Sequence, residues 1–223
     1  MLKRLYVDNY RCFVNFEVRF GQHQLVLGLN GTGKSTLLDV LRSIRDLIAG
    51  DVPPERLFPS ASRTRWQTLS QQSFELDAEI DGVSYRFIVG VDQWGVPART
   101  RVVREIVLCD GRPIFEFEDG EVHLYNDSFQ KKVAYPFDWF RSALATIQRR
   151  PENTRLMRFK DWLSNLHCLH LDPRQIPGHT DREDPRPSDD MSNFAAWYRH
   201  QTQERGDRAG ALRESLRRVI PGF

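Results

Sequence analysis

An α/β fold is predicted from three features of this 223-residue chain. A glycine-rich loop at residues 28–35 stands between a short apolar run and an amphipathic segment. Strand-like alternation with Asp-Gly turns occupies residues 74–125, and apolar residues recur at helical spacing after residue 138. Together they predict a sheet with a phosphate-loop helix, an antiparallel β-meander and a helical subdomain.

The first 50 residues read as a core unit. Leu5 and Val7 suggest a first strand, Asn9-Tyr10-Arg11 a turn, and Val14, Phe16, Val18 and Phe20 alternate with polar residues as a half-buried strand. Gln24-Leu25-Val26-Leu27 reads as a buried parallel strand ending at Gly28. Then comes Gly28-Leu29-Asn30-Gly31-Thr32-Gly33-Lys34-Ser35, a full G-x-x-x-x-G-K-S motif. Its glycines let the backbone wrap a phosphate with inward-pointing N–H groups. Lys34 reaches the β- and γ-phosphates, and the Ser35 hydroxyl is placed to ligate Mg²⁺. Leu37, Val40, Leu41, Ile44 and Ile48 lie on one helical face, and Gly50 is placed to end that helix. Strand, loop and helix is the context a P-loop NTPase requires.

Residues 51–73 read as an irregular insertion, broken by Pro53, Pro54 and Pro59. Residues 74–136 read as an antiparallel β-subdomain of about five strands, with hairpin turns at Asp81-Gly82, Asp110-Gly111 and Asp119-Gly120. Helical spacing over 138–150 and 152–166 makes residues 137–171 a helical segment. Residues 172–190 read as an exposed Pro/Asp/Arg-rich loop. Short helices near 193–204 and 208–219 complete a final region, 172–223.

With 40% apolar and 28% charged residues, the composition is that of an ordinary globular protein, and a net charge of +2 points to no partner. No uncharged apolar stretch approaches a membrane span and no signal-peptide core opens the chain, so the expectation is a cytoplasmic protein without a membrane partner. Three scattered cysteines exclude a disulfide framework. His167-Cys168-Leu169-His170 lacks a second ligand cluster and reads as packing and surface rather than a metal site. Ile106-Val107-Leu108-Cys109-Asp110 has the minimal form of a Mg²⁺-holding aspartate strand, but Gly111 follows and a hairpin turn is the better reading. Leu169-His170-Leu171-Asp172 is a poorer version of the same pattern.

The opening Asn9-Tyr10-Arg11-Cys12-Phe13, the strand that follows and G-L-N-G-T-G-K-S-T resemble the ABC-type ATPases of the SMC, RecF and OLD-like group. Many of these are described as AAA family ATPases of phage-defence systems. The tail from Ser192-Asn193-Phe194 to Pro221-Gly222-Phe223 is similar to the stretch preceding the second half of OLD-like members. The resemblance implies that Gly28, Asn30, Gly31, Thr32, Gly33, Lys34, Ser35 and Thr36 cradle ATP with Mg²⁺, and that Arg11 lies near the phosphates. Gln148 is a weak candidate for the family's Q-loop glutamine, and Gln71 and Gln72 are weaker ones. The resemblance also implies a C-terminal lobe with the signature motif, the Walker B Asp-Glu and a switch histidine. None of these motifs occurs in the chain, which is expected to be an N-terminal lobe without a catalytic residue of its own.

The implied partners are that C-terminal lobe or a second subunit, a homodimer in the full-length form, a nuclease effector, and DNA or RNA. Arg141, Arg149, Arg150, Arg155, Arg158 and Lys160 concentrate positive charge on the helical segment and are the candidate nucleic-acid contacts. Two alternatives remain open: a non-catalytic ATP-binding scaffold that recruits a nuclease or nucleic acid, and a complete small P-loop kinase or NTPase using Asp110.

Overall fold

The structure is a computed structural model. It describes residues 1–219 apart from Pro173, Pro177 and Arg205, so the closing residues 220–223 of the tail motif lie outside the described residues. The chain divides into two compact units, Met1–Leu166 and a second beginning at His167.

In the first unit, β1 (Leu2–Asp8) and β2 (Phe16–Arg19) precede α1 (Lys34–Ala49). A short helix α2 (Pro54–Leu57) and a 3₁₀ turn at Ser60–Ser62 follow. Six strands come next: β3 (Gln72–Ile80), β4 (Val83–Trp94), β5 (Arg99–Cys109), β6 (Arg112–Glu118), β7 (Glu121–Tyr125) and β8 (Lys131–Pro136). The unit closes with α3 (Ala143–Thr146) and α4 (Thr154–Ser164). All eight strands form one antiparallel sheet in the order β2-β1-β3-β4-β5-β6-β7-β8. The expected meander therefore gains a strand and is continuous with the opening hairpin. The link is β1 beside β3, with Leu5 opposite Leu76 and Val7 opposite Phe74.

Alternation gives the sheet one apolar and one charged face. Phe74, Leu76 and Ala78 of β3, Tyr85, Phe87 and Val89 of β4, and Val107 and Cys109 of β5 are buried. On the other face, Arg86 grips Asp77 through two hydrogen bonds of 2.7 and 2.9 Å, and Arg101 grips Asp92 likewise at 2.7 and 3.1 Å. The three Asp-Gly pairs turn the hairpins as expected, each with positive φ at both residues. The predicted face of α1 is buried, with Leu37, Val40, Leu41, Ile44 and Ile48 joined by Leu47. Gly50 ends the helix through its N–H on the Asp46 carbonyl, but at φ −92 it is not left-handed; Asp51 takes the positive φ instead. A Cβ at Gly50 would lie 2.9 Å from the Asp46 oxygen, so this close approach is what requires glycine.

Two predicted elements differ. Residues 138–150 form only the single turn α3. The Trp139 carbonyl accepts from Val102 N–H at 2.7 Å, and the Trp139 ring packs edge-on against Phe117, so contacts with the sheet hold this stretch out of a helix. Pro151 then disfavours helical backbone at Arg150. The run at residues 24–27 belongs to no strand, and Leu25, Leu27 and Leu29 are 76%, 80% and 81% exposed. A buried parallel strand needs neighbours on both edges, and no described strand pairs with this run.

The insertion at 51–73 is anchored rather than loose. Phe58 is fully buried against Tyr10 and Phe74, and its carbonyl accepts from Thr100 at 2.8 Å. At the other side, α4 lays Phe159 on Tyr85 and Phe87. The second unit carries α5 (Phe194–Glu204) and α6 (Gly206–Val219), close to the predicted pair, after an irregular stretch in which Asn193 bonds Asp184 and the Arg186 carbonyl.

Buried charge brackets α3. Glu105 is fully buried on β5, and one carboxylate oxygen accepts from the Ala143 and Leu144 N–H groups at 2.9 and 3.2 Å. Lys160 of α4 caps the other end on the carbonyls of Leu144, Ala145 and Ile147 at 2.8–3.0 Å. Burial pushes the Glu105 pKa up from 4.5 to about 7 and Lys160 downward, each towards its neutral form. A carboxyl raised on folding favours the folded state while protonated. This contribution is therefore present below pH 4.5 and is lost as pH rises through about 7. The unfolding free energy should fall over that window by on the order of 3 kcal/mol relative to Glu105→Gln. Denaturant titrations of both proteins at pH 4.5 and 8 measure it, and parallel profiles would refute the assignment.

Candidate phosphate-binding site

The glycine-rich loop leaves the extended run 21–27 and enters α1 directly. Gly31 and Gly33 adopt φ +82 and +98, backbone that side-chain-bearing residues rarely take. Gly33 caps α1, and no side chain bonds the free N–H groups there; the first turn carries no acidic residue. Those N–H groups and the positive end of the helix dipole face solvent, as an anion site requires. Thr32 folds back on the Leu29 carbonyl through its hydroxyl at 2.9 Å. Lys34 rests on the carbonyls of Gly28 and Leu29 at 2.7 and 2.6 Å, an ammonium already held within the loop. Ser35 and Asn30 are exposed, and Thr36 is half-buried in the first turn. This donor set fits a triphosphate with Mg²⁺: N–H groups and Lys34 for phosphate oxygens, and the Ser35 hydroxyl for the cation.

Around the loop the structure assembles residues far apart in sequence. Arg11, at φ +50, pairs with Asp39 two turns into α1 and lies over the Tyr10 ring. Phe13 stacks on Phe16 at 4.1 Å. Beside Gly28 and Lys34 a cavity of about 310 Å³ is lined by Phe13, Phe16, Val26 and Leu27. Arg11 thus packs against the phosphate-loop helix with its guanidinium on a carboxylate.

Five of the six basic candidates of the helical segment have internal partners. Arg141 pairs with Asp51, and Arg149 with Asp161 at 2.6 Å. Arg155 donates to the Asp127 carbonyl and lies over the Phe129 ring. Arg158 stands 4.0 Å from Asp81. Lys160 is committed to α3, and Arg150 is exposed. Asp110 occupies its hairpin turn, bonded to Ser84 through both backbone N–H and carboxylate. Asp172 likewise caps a local turn through Arg174 and Gln175. Gln148 is exposed, whereas Gln72 is 1% exposed and bridges Asn9 to Ser62. Sequence reasoning missed Asp39, Phe13 as a loop neighbour, and Gln72 with Asn9. Asp39 falls on the exposed side of the α1 periodicity, and no local pattern pairs it with Arg11.

The family model described as ABC transporter matches residues 13–205. A 54-residue stretch is 46% identical to the OLD nuclease of Thermus scotoductus, covering 24% of this chain and 10% of that protein. A solved structure of the recombination mediator protein RecF with ATP shares 22% identity over 50% of this chain and 27% of its own, with a TM-score of 0.33. A structure from work on ATP-driven dimerization and DNA-stimulated activation of SMC ATPases shares 16% identity over 50% of this chain and 70% of its own, with a TM-score of 0.32. The chain thus spans only a small part of the nuclease and about a quarter of RecF.

Two substitutions test the local reading. At Gly33 a Cβ would stand 2.8 Å from the Phe13 ring at positive φ, so Gly33→Ala should cost about 1–3 kcal/mol in thermal unfolding. Leu27→Lys, at an 80% exposed position, should leave stability within about 0.5 kcal/mol. A large loss there would show that residues 24–27 are buried in this chain after all.

Proposed function

Because the chain belongs to the ABC transporter family, we propose that it is the ATP-gripping portion of an ATPase whose catalytic site is completed by a second body. The observation that carries this reading is the phosphate loop itself: uncapped N–H groups at the start of α1, with Lys34 and Ser35 on that first turn. Lys34 leaves the Gly28 and Leu29 carbonyls for the β- and γ-phosphate oxygens, exchanging two neutral acceptors for anionic ones. The Ser35 hydroxyl would hold Mg²⁺, which would supply neutralisation of phosphate charge. Arg11 is held within the Tyr10–Phe13 turn that meets the loop, and nucleotide phosphate competes with Asp39 for its guanidinium.

Support for a second body comes from residues 24–29. A run of apolar residues beside the phosphate loop, exposed at Leu25, Val26, Leu27 and Leu29 and paired with no described strand, is a segment awaiting neighbours. Those neighbours come from a C-terminal lobe or a second subunit, and they bring the residue that polarises the attacking water. The two aspartates that might have made the chain self-sufficient, Asp110 and Asp172, are both spent on turns, which disfavours the small-kinase reading. A role beside a nuclease is supported by the OLD-like stretch alone, and the proposal extends it to action on DNA within a dimeric assembly. The internally paired arginines of the helical segment leave Arg150 as the most open of the proposed phosphate contacts.

Mg-ATP binding and turnover of this chain, with Lys34→Ala as control, test the proposal. Expected are binding that weakens at least about tenfold on Lys34→Ala and turnover far below the ordinary 1–10³ s⁻¹ of enzymes. Binding indifferent to Lys34 would remove the nucleotide reading. Turnover at ordinary rates would remove the second body.

A further inference from the structure

The phosphate loop is exposed throughout residues 28–32, yet its last glycine is pressed from below. An added Cβ at Gly33 would meet Phe13 Cε1 at 2.8 Å and Cζ at 3.0 Å, and the Cys12 sulfur at 3.0 Å. Phe13 is only 5% exposed and is backed by the parallel ring of Phe16. It closes a tight turn with Tyr10: each backbone N–H donates to the other's carbonyl, at 3.1 and 2.8 Å. The same turn clasps α1 twice more, through Arg11 on Asp39 and through Ser43 on the Tyr10 hydroxyl. Helix and loop are therefore fixed at three levels by four consecutive residues.

The turn is itself held from outside. Asn9 precedes it at φ +58, is fully buried, and uses its entire side chain on the insertion. Its amide nitrogen donates to the Leu69 and Gln71 carbonyls, both at 2.8 Å, and its amide oxygen accepts from Thr64 N–H at 3.2 Å. The Asn9 carbonyl accepts from Gln72 at 3.0 Å, the Arg11 N–H donates to the Ser62 carbonyl at 2.7 Å, and Thr64 reaches the Phe13 carbonyl. Positive φ at both Asn9 and Arg11 stores strain that persists only where surroundings over-determine it. A buried polar network of this kind is rigid when every member is satisfied.

We propose that the turn at residues 10–13 is the positioning element of the phosphate loop, with Phe13 as the prop beneath Gly33 and Asn9 as the anchor to residues 60–72. This rests on the nucleotide-binding reading above and extends it. Affinity for triphosphate depends on N–H groups held in place before the ligand arrives, and the prop supplies that order through an apolar ring beneath Gly33 rather than through a contact with phosphate. The insertion between α1 and β3 thereby sets the affinity of a site it does not line.

Two readouts test this, one of them without nucleotide. Amide exchange is followed at Leu37, whose N–H is bonded to the Gly33 carbonyl at 2.9 Å, and at Val89 and Val107 in the sheet. Asn9→Gly keeps the left-handed backbone accessible while deleting the anchor; Phe13→Ala deletes the prop; Phe13→Met refills its volume. Expected are exchange at least about tenfold faster at Leu37 with the sheet unchanged, and triphosphate binding about tenfold weaker, in both Asn9→Gly and Phe13→Ala. Phe13→Met should recover most of each loss. Exchange that quickens equally in the sheet, or remains unchanged at Leu37, overturns the proposal, as does wild-type affinity in the folded variants. If Asn9→Gly alone spares Leu37, the anchor falls and the prop stands alone. Should the wild-type chain show no Lys34-dependent binding, the nucleotide reading fails, while the exchange experiment still decides the prop.

Discussion

Burial of one face of α1 is the contact on which both fold and site depend. Leu37, Val40, Leu41, Ile44, Leu47 and Ile48 are each 6% exposed or less, and each such side chain contributes about 1.5–3 kcal/mol when fully removed from water. The hydrogen bonds and ion pair that tie the helix to the turn beneath it are worth about 1 kcal/mol apiece. Packing therefore decides where the helix lies, and the polar contacts decide how its first turn is presented. Lys34 and Ser35 occupy that turn, so the position of the chemistry follows from the position of the hydrophobic stripe.

The sheet shows the complementary logic. Its apolar face is covered by helices while its other face carries Arg–Asp and Arg–Glu pairs, the division expected of an antiparallel sheet with one side in water. Against that background two departures stand out, and both concern polar groups inside or apolar groups outside. Glu105, buried, and Lys160, half-buried, order a single helical turn, with one Glu105 oxygen left without a hydrogen-bond partner. Leu25, Leu27 and Leu29 are exposed beside the phosphate loop. The first is an internal device for fixing a connection. The second is an apolar surface that costs about 25 cal/mol per Å² of apolar area while it stands in water.

Asn9 and its partners show how a loop can be rigid without regular structure. The insertion at 51–73 has little helix and no strand before β3, yet Phe58, Ser62, Thr64 and Gln72 are all buried in it. Its hydrogen bonds run to Asn9 and the turn at residues 10–13 across about 50–60 positions of sequence, and they bind the site to a part of the chain that reads in sequence as an irregular insertion.

Local chemistry was legible from the sequence alone. The G-x-x-x-x-G-K-S loop, the buried stripe of α1, the alternating strands and the three Asp-Gly turns follow from periodicity and from the φ values particular residues tolerate, and a window of a few residues contains that information. Tertiary structure decided the rest. Pairing of β1 with β3 merged two expected subdomains into one sheet, and pairing along the sheet drew residues 138–142 out of their helical pattern. Arg141, Arg149, Arg155, Arg158 and Lys160 form a basic cluster in sequence, but each meets an acid, a carbonyl or a ring from elsewhere. Phe13 reads as one more apolar residue until Gly33 is folded onto it. The reason is the same in each case: these contacts join residues from about ten to ninety positions apart, and no periodicity records which distant group will fill the space beside a side chain.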